Sequence, residues 1–115
     1  SVEQFAESGG VRVFLFVTDD GSTALEGYTA RITKDGQEEA VSEISFGGQP
    51  GFTWPFQDAR QRGQNWKAEF PNVVPTGVWE VELVDGDGVI VGPKGSFTLN
   101  VDEPNQELYL RYEQR

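Results

Sequence analysis

The chain has 115 residues, a length that suits one domain with a single hydrophobic core. Its 37% hydrophobic content, with 12% aromatic residues, excludes a protein that is disordered along its whole length. A formal net charge of −10 argues against nucleic acid and anionic membrane surfaces as partners. The longest apolar run, Val13–Val17, is far too short for membrane insertion.

The residue types that are missing narrow the function further. Histidine and cysteine are absent, so the chain has no disulfide framework and no catalytic triad of the usual type. No Gly-x-Ser-x-Gly elbow or phosphate-binding glycine loop occurs, and we therefore expect that the protein is not an enzyme. Methionine is also absent, which predicts that Ser1 follows processing or excision from a longer chain. An acidic, thiol-free β protein favours an extracellular or cell-surface bacterial setting.

The N-terminal segment differs in composition from the rest of the chain. Residues 1–10 are predicted to form an arm or linker, and residues 11–115 to form the folded domain. Ordering a polar arm costs roughly 1–2 kcal/mol of backbone entropy per residue, so an ordered arm requires contacts on this domain or on a second copy. The residues proposed for this contact are Val2 and Phe5 on the arm and Phe14 and Phe16 on the domain.

Strand signals separated by turn residues recur along the whole domain. The first strand is apolar on both faces, which predicts a central strand or one with a further contact surface. Trp79, Val81 and Leu83 alternate with two glutamates and are expected in the core. Asp35-Gly36 predicts a tight hairpin turn. The predicted strands are Val11–Thr18, Gly27–Lys34, Gln37–Phe46, Asn65–Phe70, Val78–Val84, Val89–Val91, Gly95–Val101 and Glu107–Glu113, with a further short strand possible around Phe52.

This pattern predicts an all-β fold, an antiparallel Ig-like β-sandwich of seven to eight strands. One stretch is more specific, because the aromatic strand Trp66–Phe70 leads through a Pro75-Thr76-Gly77 turn into alternating aromatic and aliphatic residues. It resembles the strand–turn–strand signature of prealbumin-like sandwiches, which include transthyretin-like and carboxypeptidase-regulatory-like domains and the B-type repeats of bacterial collagen adhesins. The piece from Asp19 to Ile32 is similar to the first hairpin of these families. The resemblance implies the fold and does not identify a ligand.

Some adhesin repeats of this type carry a Lys–Asn isopeptide crosslink between their first and last strands. Here the first predicted strand, Val11–Thr18, contains no lysine, and the last, Glu107–Glu113, contains no asparagine. We therefore expect no crosslink of that kind.

A short acidic segment has two possible interpretations. Asp85 and Asp87 alternate with glycines as the first ligands of a calcium loop do, but the later ligands and the distal glutamate are missing. Asp-Gly is also a preferred turn sequence. The segment favours a turn, structural calcium is the alternative, and no other cofactor is expected.

The stretch between Gly47 and Gly63 is the candidate binding surface, because its aromatic residues lie among prolines and glycines. Its aromatic cluster either caps one end of the sandwich or forms an exposed platform on which a sugar ring or a partner chain stacks. Its two arginines are either solvated or contact a ligand carboxylate. The candidate ligand-binding residues are Trp54, Phe56, Trp66, Arg60 and Arg62.

Two functions from different classes are compatible with these features. The first is a non-catalytic extracellular module that binds glycan or protein as an accessory domain of a secreted or cell-surface bacterial protein. The alternative is a self-assembling structural subunit of a surface filament, pilus or stalk, joined through its N-terminal arm by strand addition.

Overall fold

A computed structural model describes residues 2–5, 7–19, 23–39, 41, 43–49, 51–52, 62–70, 76–100 and 105–114. In these residues the regular secondary structure consists of β-strands, so the predicted all-β class is confirmed. The part of the chain described here contains no helix long and apolar enough to cross a membrane. The strands are β1 (Val2–Phe5), β2 (Glu7–Thr18), β3 (Thr29–Lys34), β4 (Gln37–Glu39), β5 (Gly51–Phe52), β6 (Gly63–Gln64), β7 (Trp66–Phe70), β8 (Gly77–Val84), β9 (Ile90–Leu99) and β10 (Asn105–Glu113).

These strands form two four-stranded sheets and one short hairpin. The first sheet has the order β1-β10-β2-β7, the second has the order β4-β3-β8-β9, and β5 pairs with β6. The pairs are antiparallel except β10 with β2, which run parallel. The last strand of the chain therefore lies between β1 and β2, which are neighbours in the sequence.

Both four-stranded sheets contribute to one hydrophobic core, an arrangement that is compatible with a β-sandwich. In β8, Trp79 and Val81 are fully buried and Leu83 is nearly so, as their alternation with glutamates predicts. From β7, Phe70 packs on Trp79 with the ring centres 5.6 Å apart. Other members of this inner core are Val11, Val13, Leu15, Val17, Ala30, Ile32, Trp66, Ala68, Phe97, Leu99, Leu108, Leu110 and Tyr112.

The predicted turn at Asp35-Gly36 joins β3 to β4. Asp35 has φ of 51° and Gly36 has φ of 82°, which is the backbone of the mirror-image turns that suit two-residue hairpins. The Asp35 carboxylate also accepts a hydrogen bond from the backbone N–H of Val78, at 2.9 Å. One residue therefore both closes a hairpin and fastens the start of β8.

β4 is shorter than the predicted strand, and β9 is longer. β4 ends at Glu39. Farther along the predicted strand, the Ser45 hydroxyl forms hydrogen bonds with the backbone of Tyr28 and Leu25, and side-chain bonds of this kind compete with strand pairing. β9 runs through Gly92-Pro93, where the sequence predicts a break. It can do so because it is an edge strand, which tolerates proline, and because its register with β8 shifts between Val81 and Leu83.

The N-terminal arm pairs with its own domain. Its backbone forms β1, antiparallel to β10, with Val2 opposite Leu110 and Phe5 opposite Glu107. β2 then starts at Glu7 and crosses the predicted domain boundary without interruption. The predicted packing of the Val2 and Phe5 side chains lies outside the side chains that the structure describes.

Candidate functional site

Among the described residues, three large apolar side chains are exposed in the stretch from Ile44 to Phe52, which leads into the hairpin β5–β6. Ile44 is 69% exposed, Phe46 is 45% exposed and Phe52, the last residue of β5, is 60% exposed. We call these three residues the exposed patch. Residues 53–61 follow Phe52 in the sequence, and the predicted site residues Trp54, Phe56 and Arg60 among them lie outside the described residues.

The outward direction of Ile44 and Phe46 follows from the burial of Ser45 between them. The Ser45 hydroxyl accepts a hydrogen bond from the Tyr28 backbone N–H at 2.9 Å and donates one to the Leu25 carbonyl at 2.7 Å. Alternate residues of an extended chain point to opposite sides, so a buried Ser45 places its two neighbours outward. The ring of Phe46 also lies close to β5, since a Cβ added to Gly51 would be 3.5 Å from it.

Asn65 fixes the backbone beneath the exposed patch. It is fully buried, its Oδ1 accepts from the Val17 N–H, and its Nδ2 donates to the carbonyls of Val17, Leu25 and Phe46 at 2.9–3.1 Å. The Phe46 N–H in turn donates to the Asn65 carbonyl at 3.1 Å. One side chain thus ties three chain segments together, and this hydrogen-bonded amide fixes the backbone at Phe46.

A second apolar cluster holds the base of the hairpin against the first sheet. We call Phe14, Phe16, Ala24 and Tyr109, all buried, the outer cluster. Gly63 of β6 lies on Phe16, so closely that an added Cβ would be 2.8 Å from the ring. The Tyr109 hydroxyl donates to the Gly63 carbonyl at 2.8 Å, and burial raises the pKa of Tyr109 to about 12. Tyr109 is therefore a neutral donor at physiological pH.

Arg62, a predicted ligand contact, is bound within the chain. Its Nε and Nη2 donate to the two carboxylate oxygens of Glu3 on β1, at 3.0 and 3.1 Å. This two-point pairing, and chiefly the hydrogen bond itself, raises the pKa of Arg62 above its ordinary value. In this arrangement Arg62 joins the arm to the hairpin rather than presenting its guanidinium to a ligand.

Trp66 does not belong to the candidate surface. Its side chain is only 2% exposed, and its indole N–H donates to the Glu43 carbonyl at 2.9 Å. A ring so enclosed has no face on which a ligand could stack. The sequence does contain the signal for this outcome, because Trp66, Ala68 and Phe70 alternate with charged residues along β7 and all three are buried.

A cleft that the sequence does not predict lies at one end of the two sheets. Its volume is about 720 Å³, and we call it the end cleft. No motif marks it, because its walls come from chain segments that are far apart in sequence. Its lining residues are Val17, Tyr28, Leu83, Asp85, Val91, Gly92, Pro93, Arg111, Tyr112, Glu113 and Gln114.

The end cleft combines apolar walls with several polar and charged side chains. Val17 and Leu83 at its surface also belong to the inner core. The Tyr112 hydroxyl donates to the Pro93 carbonyl at 2.9 Å, and burial raises the pKa of Tyr112 to about 12. The ring of Tyr112 also lies against Gly92, where an added Cβ would be 3.1 Å away. Tyr112 is consequently held as a fixed, neutral wall.

Asp85 and Asp87, the weak calcium candidates, form the turn that their sequence favours. Asp85 Oδ1 accepts hydrogen bonds from the backbone N–H groups of Asp87 and Val89, at 2.9 and 3.0 Å. Among the described residues no group of three acidic side chains lies close enough to hold a metal ion. These hydrogen bonds are those of the turn that the Asp-Gly sequence favours.

Comparison of the chain with protein-family models, with curated proteins and with solved structures found no match. The resemblance to prealbumin-like domains accordingly stays a prediction from the sequence.

Proposed function

We propose that the protein is a non-catalytic binding module of a secreted or cell-surface bacterial protein, built on an Ig-like or prealbumin-like sandwich. It binds glycan or protein through the exposed patch together with Trp54 and Phe56, which follow Phe52 in the sequence. The observation that carries this proposal is the exposure of Ile44, Phe46 and Phe52, at 69%, 45% and 60%. Contiguous apolar surface is typical of interaction sites, and these three side chains lie within nine residues of the sequence.

The rigidity of the supporting backbone favours binding. Complete burial of a Phe or Ile side chain contributes about 1.5–3 kcal/mol, so covering the exposed patch supplies a few kcal/mol. Because Asn65 and Ser45 already hold the backbone by hydrogen bonds, little ordering entropy is lost when a partner covers it. The stacking faces of Trp54 and Phe56 would add to this area.

The edges of the second sheet weigh against the alternative function, self-assembly by strand addition. β4 is only three residues long, and β9 carries Pro93 and Lys94 together with an irregular register. Short edges, proline, lysine and bulges are features that prevent pairing with another chain. The arm, moreover, is paired within its own chain through β1 and β10, so its backbone order does not require a neighbouring subunit.

The proposal is tested by removing rings from the surface and measuring binding and stability together. A broad glycan array and a panel of extracellular proteins identify a partner, and Phe46→Ala, Phe52→Ala and Trp54→Ala are then compared with the unaltered chain. We expect each substitution to weaken binding at least about tenfold, the effect of losing an anchor ring, while the melting temperature changes little. Val78→Ala is the matched control, because Val78 is also exposed, at 42%, but lies on β8 beside Asp35.

Unchanged binding in all three aromatic variants would contradict the proposal. A loss of several kcal/mol of stability in Trp54→Ala would instead identify that residue as part of a packed core. In that case the proposal would rest on Phe46 and Phe52.

A further inference from the structure

We propose that the end cleft is a second binding site, separate from the exposed patch, and that it takes a small organic cation such as an aryl-substituted or quaternary ammonium ion. Its volume of about 720 Å³ lies within the range of about 300–1,000 Å³ that is usual for small-molecule sites. Apolar walls combined with polar groups that can orient a ligand are also usual for such sites.

Two tyrosine rings supply the surface that suits a cation. Tyr28 comes just before β3, and Tyr112 lies near the end of β10, so they reach the cleft from different sheets. The ring of Tyr112 is fixed by its hydrogen bond to Pro93 and by its contact with Gly92. The faces of tyrosine rings attract ammonium groups, most strongly where water is partly removed.

The charges that line the cleft select a positive ligand. Asp85 and Glu113 both line it, in a chain whose formal net charge is −10. Asp85 uses Oδ1 to accept hydrogen bonds from the backbone of its own turn. Arg111 also lines the cleft, yet its guanidinium carbon lies 5.3 Å from the ring centre of Phe16, a member of the outer cluster. The lining of the cleft therefore contains two carboxylates against one guanidinium, an excess of negative charge that favours a cation.

Benzyltrimethylammonium is a suitable probe, and benzoate is its counterpart with the opposite charge. Titration of isotopically labelled protein, followed by the amide resonances of Val17, Leu83, Val91 and Gly92, reports on the cleft directly. We expect saturable shifts with the cation and none with benzoate. Asp85→Asn keeps an Oδ1 acceptor for the turn and removes only the charge, so we expect it to weaken binding about two- to fivefold, the effect of a partly exposed charge pair. The double variant with Glu113→Gln is expected to weaken binding further.

Asp87→Asn is the matched control, because it removes one charge from the same turn without altering the lining of the cleft. It is expected to leave the affinity unchanged. The proposal is overturned if the cation causes no shifts at these amides, if benzoate binds as well as the cation, or if Asp87→Asn weakens binding as much as Asp85→Asn does. None of these outcomes depends on the exposed patch, so the two sites are tested independently.

Discussion

The inner core and the outer cluster are built in different ways, although β2 contributes to both. Along β2, Val13 and Leu15 enter the inner core between the sheets, whereas Phe14 and Phe16 belong to the outer cluster. The inner core has apolar side chains from both four-stranded sheets. The outer cluster has four residues and lies against a hairpin whose position depends on contacts such as that between Phe16 and Gly63.

An apolar strand face in this protein is therefore covered in one of two ways. In the inner core each strand buries its alternate residues against several other strands. The loss of one contact therefore leaves many others in place. At the outer cluster, in the part of the chain that the structure describes, the hairpin β5–β6 is held by the Tyr109–Gly63 hydrogen bond and the Arg62–Glu3 pair. Local opening should therefore begin at the outer cluster, since few apolar contacts oppose it.

The largest effect is expected from the inner core, where Trp79 is fully buried. Trp79→Ala should lower the free energy of unfolding by about 3–5 kcal/mol, since truncating a buried aromatic leaves a cavity. Urea denaturation followed by circular dichroism measures the change. The neighbouring exposed Val78→Ala is the control, with an expected change within about 0.5 kcal/mol. A loss below about 1 kcal/mol for Trp79→Ala would show that Trp79 does not anchor the core.

An intermediate effect is expected where the hairpin is fastened to the outer cluster. Tyr109→Phe keeps the ring and removes the hydroxyl that donates to Gly63, so the free energy of unfolding should fall by about 0.5–1.5 kcal/mol. Faster hydrogen exchange should be confined to the amides of Gly63 and Gln64 and their surroundings, while the amides of β8 keep their protection. Equal acceleration in β8 would contradict the separation of the two regions.

The same substitution has a signature at high pH. Burial raises the pKa of Tyr109 from 10.0 to about 12, so between these values the unfolded chain loses the phenolic proton before the folded chain does. The unfolded state then binds fewer protons, and stability falls as the pH rises from about 10 to about 12. Tyr109→Phe should reduce this fall, leaving the contribution of Tyr112, whose pKa is also raised to about 12. An unchanged fall in the variant would contradict the burial of Tyr109.

The smallest effect is expected from the ion pair between Arg62 and Glu3. Both side chains are about one-third exposed, at 34% and 35%, so a double-mutant cycle should give a coupling energy of about 0.2–1 kcal/mol that decreases with added salt. The Arg31–Glu38 pair is the control, because it is more exposed and its nearest charged atoms are 3.4 Å apart. A larger coupling for Arg31–Glu38 would show that two-point pairing does not strengthen the link between the arm and the hairpin.

Much of the inner core could be predicted from single strands. Trp79, Val81 and Leu83 alternate with charged residues, and that alternation alone indicates which side is buried. The same rule applied to β7 would have placed Trp66 in the core. The continuity of β9 through Pro93 could not be predicted in this way, because proline is tolerated only once the strand is known to lie at an edge.

The all-β class, the hairpin at Asp35-Gly36 and the buried face of β8 could be predicted from the sequence alone, since each depends on residues close together in the chain. Only the tertiary structure decided which aromatic residues are covered. Phe14 and Phe16 are 3% and 6% exposed, whereas Phe46 and Phe52 are 45% and 60% exposed. The residue type is the same in all four cases. The physical reason is that burial depends on which distant segment lies over a side chain, and the pattern around one residue does not contain that information.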